Sequence, residues 1–197
     1  MCLHLPSKHM DMPFFMETTD RVLVHHLVFE KIISEKTIEQ RLDVLGAELS
    51  VRFSELTPLF IPVLNGAFIF AADLERRFTG HCETAFVKLS SYEGDRSSGQ
   101  VQTVIGLQQD IKNRHLIVVE DIVDTGRTLH HFLETLHAQS PASISVAAFL
   151  RKPEAEEFHV PVEYLGFDIP NRFVVGYGLD YNGHGRNLPG VYGLVED

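Results

Sequence analysis

Cysteine is scarce in this chain of 197 residues: Cys2 and Cys82 are the only two, and neither belongs to a C-x-x-C pair. No disulfide framework can be drawn from them, and a reducing, cytoplasmic setting is expected. Basic residues are in deficit, with 17 Lys and Arg against 27 Asp and Glu and a formal net charge of -10. That counts against duplex nucleic acid as a partner, because neutralising its phosphates takes a surplus of Lys and Arg. It does not count against a phosphorylated small molecule, whose phosphates backbone N–H groups and a metal ion can hold locally. No apolar run approaches the ~20 residues needed to cross a bilayer. Charges at Lys8, Asp11, Glu17, Asp20 and Arg21 interrupt the N-terminal stretch, so neither a membrane span nor a secretory leader is expected. Walker A and H-E-x-x-H patterns, internal repeats and a domain linker are all missing. The eleven histidines include the adjacent pairs His25-His26 and His130-His131. Neighbouring positions on a helix do not share a face, so no transition-metal site is expected.

What remains is an ordinary globular composition, 44% hydrophobic and 22% charged, in a chain long enough to bury a substantial core. Residues 1–20 carry no period and are expected to form an N-terminal arm, with Phe14 and Phe15 its apolar anchors. Residues 21–197 are expected to form one domain. Its first piece is a short strand near Val22–Leu27. Ser34 then reads as an N-cap, and Ile38, Leu42, Leu45 and Leu49 follow at helical spacing. Strands are expected at 58–64, 85–89, 101–105, 115–119, 143–150, 162–167 and 173–175, with helices at 68–77 and 126–137. Between two of the strands, residues 90–100 are polar and rich in Ser and Gly, as at a hairpin tip. The tail after Asp180 is expected to be mostly loop. Strands alternating with helices imply an α/β fold with a largely parallel sheet.

The chemistry concentrates in Leu116-Ile117-Val118-Val119-Glu120-Asp121-Ile122-Val123-Asp124-Thr125-Gly126-Arg127-Thr128-Leu129. A buried strand runs into three carboxylates, then a tight loop, then a helix start. Carboxylates at the C-terminal end of a parallel strand stand where α/β sheets bind ligands. An adjacent pair can accept hydrogen bonds from vicinal hydroxyls or hold a hydrated Mg²⁺. The N–H groups of Thr125-Gly126-Arg127-Thr128, at a helix start, make an anion site. Taken alone, Asp124-Thr125 would read equally well as a helix cap.

The stretch from Val118 to Leu129 resembles the 5-phosphoribosyl-1-diphosphate signature of the type I phosphoribosyltransferases, and the similarity runs from about Val28 to Leu194. The resemblance implies a central, mostly parallel sheet flanked by helices, with a small hood and a mobile flap. It implies that Glu120 and Asp121 bind the ribose hydroxyls and that Asp124 is the general base/acid near purine N7. The loop of Asp124, Thr125, Gly126, Arg127 and Thr128 then holds the 5′-phosphate, and Ile122 and Val123 ahead of it are also implied to bind substrate. Leu64-Asn65-Gly66-Ala67 matches the family's pyrophosphate loop, which often carries a cis peptide, here Leu64–Asn65. Asn65 stands where many relatives have Lys or Arg, and Pro62 lies inside the preceding strand.

Three further matches complete the implied site. Lys152, in Leu150-Arg151-Lys152-Pro153, corresponds to the lysine that donates to purine O6. In Arg172-Phe173-Val174-Val175-Gly176-Tyr177-Gly178-Leu179-Asp180-Tyr181-Asn182, Phe173 stacks on the base and the Val174 backbone reads its edge. Asp180 joins Glu120 and Asp121 around Mg²⁺, and Arg186 meets the pyrophosphate. Ser91-Tyr92 opens the flap. The implied activity is phosphoribosyl transfer from 5-phosphoribosyl-1-diphosphate to hypoxanthine or guanine in purine salvage, by a homo-oligomer (dimer or tetramer). Two alternatives stay open: a xanthine-preferring relative, and a regulator on the same fold that senses phosphoribosyl diphosphate and contacts nucleic acid.

Overall fold

The computed structural model describes residues 20–90, 102–107 and 109–196. Residues 1–19 of the expected arm, and Ser91 and Tyr92 of the expected flap, lie outside the described residues. The elements run β1 (Arg21–Val24), β2 (Leu27–Ile33), α1 (Glu35–Phe53), β3 (Leu59–Leu64), α2 (Phe68–Glu75), β4 (Glu83–Thr84) and β5 (Val87–Ser90). They continue with β6 (Gln102–Ile105), β7 (His115–Val123), α3 (Arg127–His137), β8 (Ser143–Arg151), β9 (Tyr164–Asp168), β10 (Val174–Val175) and β11 (Val191–Leu194). Among the described residues no helix is long and apolar enough to cross a membrane.

The main sheet is seven-stranded, ordered β6-β5-β3-β7-β8-β9, with β4 also on β3. All its pairings are parallel except β5 with β6. Both faces of the central strands are covered, so the apolar residues alternate between two cores, not between core and solvent. Phe60, Ile117, Val119, Ala147 and Phe149 pack toward α1 and α2. Leu59, Ile61, Leu116, Val118, Val146 and Ala148 pack toward α3. Ser34 caps α1 as the sequence implies, its side chain accepting a hydrogen bond from the Thr37 N–H at 3.2 Å. Arg41 on the same helix donates to the Leu165 carbonyl, which ties α1 to β9.

Pro62 sits in the interior of β3 and is tolerated for a local reason. The Phe60 carbonyl accepts from the Ala85 N–H, so the polar groups of Phe60 face β4. Pro62, two residues on, faces the same side. There β3 changes partner, from β4 at Leu59 and Phe60 to β5 at Val63 and Leu64. The missing N–H therefore falls at the jog between two short strands, where no ladder bond is lost.

Three expectations need correction. Residues 21–33 hold an antiparallel hairpin in place of one short strand, because His25 takes a positive φ of 52° and turns the chain. The strand expected to end at Val119 continues to Val123, since β8 pairs with it as far as Val123↔Arg151. The Gly- and Asn-rich tail contributes β11, which inserts between β2 and β10. Together β1, β2, β11 and β10 form a four-stranded antiparallel hood around Phe29, Val175 and Tyr192.

Candidate active site

One cavity of about 340 Å³ opens at the C-terminal ends of β3 and β7. It is lined by residues 63–66, the whole run 120–129, Leu89, Asp180 and Arg186. Nearly all of the residues expected to bind phosphate, diol and pyrophosphate are thus brought together. The parallel register aligns Pro62 with Val119, which sets Leu64-Asn65-Gly66 beside Glu120-Asp121.

The acidic pair lies inside β7 and lines the cavity. Burial raises the proton affinity of both carboxyls, and the Asp121 charge raises that of Glu120 further. Against the burial of Asp121 work hydrogen bonds from Glu120 and from the Ile122 N–H, the latter at 3.0 Å, and the Arg186 charge. Gly66 faces this pair so closely that a Cβ there would lie 1.4 Å from Asp121 Oδ2. The Leu64–Asn65 peptide is cis, and the Asn65 side chain is exposed.

The loop 124–128 is shaped for an anion. Gly126 is the N-cap of α3, in the left-handed region at φ 77°, and has no side chain to cap with. Thr125 Oγ1 accepts a long hydrogen bond from the Arg127 N–H, at 3.5 Å, so part of the cap reading holds, while a helix start of this kind still suits an anion. The loop is held from behind by residues the sequence did not single out. Glu157 and Phe158 both donate backbone N–H bonds to the Thr125 carbonyl at 3.0 Å. A Cβ on Gly126 would lie 2.2 Å from the Phe158 carbonyl oxygen. Arg127 reaches outward from the loop: it pairs with Glu157 at 2.8 Å and lies over the Phe158 ring. No local signal marks Phe158, which follows Arg127 by about thirty positions.

Asp124 meets Lys152 at one end of the cavity, with Nζ 2.8 Å from Oδ2. Lys152 is only 7% exposed, so it is no solvated surface residue. Phe173 is 44% exposed and so stands outside the core. Its ring meets Tyr181 edge-on at 5.8 Å and Phe29 at 6.1 Å. Val174 is buried in β10.

Asp180 lines the same cavity, but its carboxylate is bound to Arg186 at 2.5 Å and to the Gly183 N–H at 2.6 Å. Among the described residues no three His, Cys, Asp or Glu side chains form a group that could hold a metal ion. The acid pair itself offers only hard oxygen donors, and burial has made its negative charge unfavourable. Both properties suit Mg²⁺, which is usually bound by one or two carboxylates together with substrate phosphates.

The folded-state proton affinity of Glu120 lies above its unfolded value, so its ionisation costs stability as pH rises through that interval. Glu120→Gln removes this cost at neutral pH. The substitution is expected to raise Tm by about 2–4 °C, the effect of ~1 kcal/mol in a chain of this size. An unchanged or lower Tm by calorimetry would contradict this.

A parallel sheet with a strand-borne acid pair and a helix-start phosphate loop defines a class of nucleotide-handling α/β enzymes. The chain belongs to the phosphoribosyltransferase family: the phosphoribosyl transferase domain matches residues 31–182. It is 38% identical over 167 residues to a hypoxanthine-guanine phosphoribosyltransferase of Streptococcus pneumoniae, covering 84% of this chain and 93% of that one. It is 39% identical over 175 residues to a hypoxanthine phosphoribosyltransferase of Haemophilus influenzae, covering 87% and 96% respectively. The crystal structure of a Staphylococcus aureus hypoxanthine phosphoribosyltransferase superposes with a TM-score of 0.81 at 34% identity, covering 84% of this chain and 91% of that one.

Proposed function

We propose that this chain transfers the 5-phosphoribosyl group of 5-phosphoribosyl-1-diphosphate to hypoxanthine or guanine, giving IMP or GMP and pyrophosphate. The observation that carries the reading is the Lys152–Asp124 pair at 2.8 Å, adjoining a cavity that also holds an acid pair and a phosphate loop. An ammonium beside a carboxylate presents one donor and one acceptor to a base. Purine O6 and the N7 proton of a 6-oxopurine are the matching groups. Adenine's amino group would face the ammonium and leave it unpaired, a mismatch that polar sites reject strongly.

In this reading the bond from ribose C1 to the diphosphate oxygen breaks and a bond from C1 to purine N9 forms. The N–H groups of residues 125–128 hold the 5′-phosphate. Glu120 and Asp121 orient the ribose hydroxyls and would hold Mg²⁺, whose charge would offset that on the diphosphate. Among the described residues Arg186 supplies a cation at that end, where Asn65 supplies an amide and no charge. Asp124 takes or returns the base proton. Phe173, exposed on the hood side, stacks on the purine, and the Val174 backbone reads its edge. Rate enhancement then comes from positioning and fixed charge, with no covalent intermediate on the protein. A cytoplasmic homo-oligomer belongs to the same reading, whereas no relative reported above supports a regulator or a xanthine-preferring enzyme.

The test is a phosphoribosyl-transfer assay with Mg²⁺ across hypoxanthine, guanine, xanthine and adenine. Turnover is expected with hypoxanthine and guanine, and none with any base would remove the reading. Lys152→Ala is expected to raise KM for the base by about 10-fold or more, the scale of a charged hydrogen bond, with a smaller change for phosphoribosyl diphosphate. Equal shifts for both substrates would argue against a base contact.

A further inference from the structure

Tyr177 occupies an unfavourable backbone position for a side chain with a Cβ. Its φ is +48°, between Gly176 at 101° and Gly178 at 103°. The turn is nevertheless held on every side. The Tyr177 N–H donates to the Leu188 carbonyl at 2.8 Å, and the Gly178 N–H to the Arg186 carbonyl at 3.0 Å. The phenol ring is buried against Phe149, with ring centroids 4.7 Å apart. Its hydroxyl donates to Asp73 Oδ2 at 2.7 Å, across a sequence separation of 104 residues. Burial, followed by the neighbouring Asp73 carboxylate, pushes the phenol's proton affinity far upward, so the group stays a donor throughout the working pH range.

The turn makes two contacts with the cavity's diphosphate end. A Cβ on Gly178 would lie 2.2 Å from the Gly66 carbonyl oxygen, so the turn and the loop touch backbone to backbone. The Gly178 carbonyl also accepts from Arg186 Nη1, on the guanidinium whose other nitrogen meets Asp180. Asp73 lies on α2, which begins directly after Gly66-Ala67. The contacts form a closed ring: Gly66, α2, Asp73, Tyr177, Gly178, and back to Gly66. One hydrogen bond between side chains closes it.

The geometry points to Tyr177 and Asp73 as positioning residues for the diphosphate end of the substrate, fixing the Gly66 loop and Arg186 relative to each other. The inference rests on the transferase reading above and adds two residues that never touch substrate. Arg76 also meets Asp73, at 3.4 Å on an exposed surface, and lies outside the ring.

Four variants test it: Tyr177→Phe, which keeps the ring, Asp73→Ala, Asp73→Asn, and the double variant Tyr177→Phe/Asp73→Ala. Each is measured for KM of both substrates, for the Kd of phosphoribosyl diphosphate with Mg²⁺ by calorimetry without base, and for Tm. Tyr177→Phe and Asp73→Ala are each expected to weaken phosphoribosyl diphosphate about 5–15-fold, the equivalent of one net hydrogen bond, with the base KM within about 2-fold. Asp73→Asn retains an acceptor and is expected to stay near wild type, while the double variant matches either single loss. A lower Tm with unchanged phosphoribosyl diphosphate affinity would make the bond merely structural and overturn the inference. So would equal shifts for both substrates, or an Asp73→Asn variant as impaired as Asp73→Ala. A wild-type protein that binds phosphoribosyl diphosphate but turns over no base would remove the transferase reading and leave the calorimetric comparison standing. One that does not bind it at all would remove both.

Discussion

Asp124→Asn is expected to lower kcat by about 10²–10⁴-fold, the range for loss of a positioned general acid/base. Asn preserves the size of the side chain and can still accept from Lys152, so KM for both substrates should move far less than kcat. The expectation rests on place as well as charge. Asp124 is in the cavity lining, and its Oδ2 is 2.8 Å from the Nζ of a lysine almost wholly removed from solvent. Loss of the Asp124 charge leaves that buried ammonium without its ion partner, so Tm is expected to fall as well. Single-turnover kinetics, which isolate the chemical step from product release, are the decisive measurement. A single-turnover rate unchanged by the substitution would sink the assigned role.

Gly66→Ala is the second large effect, and its cause is steric. The added methyl would lie 1.4 Å from Asp121 Oδ2 and 2.3 Å from its Cγ, distances no packing adjustment tolerates. Either the Asp121 carboxylate leaves its place beside Glu120 or the Leu64–Gly66 loop backs away. Retreat of the loop is opposed from behind, where Gly178 already touches the Gly66 carbonyl. Misplacement of reacting groups by ~1 Å costs on the order of 10²-fold. The expected result is a loss of kcat/KM for phosphoribosyl diphosphate of at least about that size, with base binding far less affected. A variant within 3-fold of wild type, a limit well inside that ~10²-fold loss, would show that the pair and the loop need not be in register.

Much of this site was legible before any coordinates. The run from Leu116 to Thr128 is continuous, so its chemistry follows from composition and order: apolar strand, acids, glycine turn, helix. The same holds for Leu64-Asn65-Gly66, where a strand ends in a glycine turn. Residue types at short spacing carry this information because backbone geometry over a few residues is set locally. Boundaries were less secure for the opposite reason. β7 reaches Val123 because β8 supplies hydrogen-bond partners that far, and nothing within β7 announces it. β11 forms from Val191-Tyr192-Gly193-Leu194 because β2 and β10 both present open edges to it, which outweighs the weak strand preference of a glycine-rich tail.

The sequence by itself determined the alternation of strands and helices, the acid pair, the glycine loop that follows it and the family resemblance, all of which are local patterns or strings of them. Only the tertiary structure decided which distant residues meet. Lys152 faces Asp124 because β8 and β7 are parallel neighbours in register. Phe158 supports the phosphate loop through the Thr125 carbonyl. Tyr177 reaches Asp73 and so braces the Gly66 loop. Asp180 meets Arg186. Such contacts depend on strand order, register and close packing across the whole core. No period or spacing within a segment encodes them.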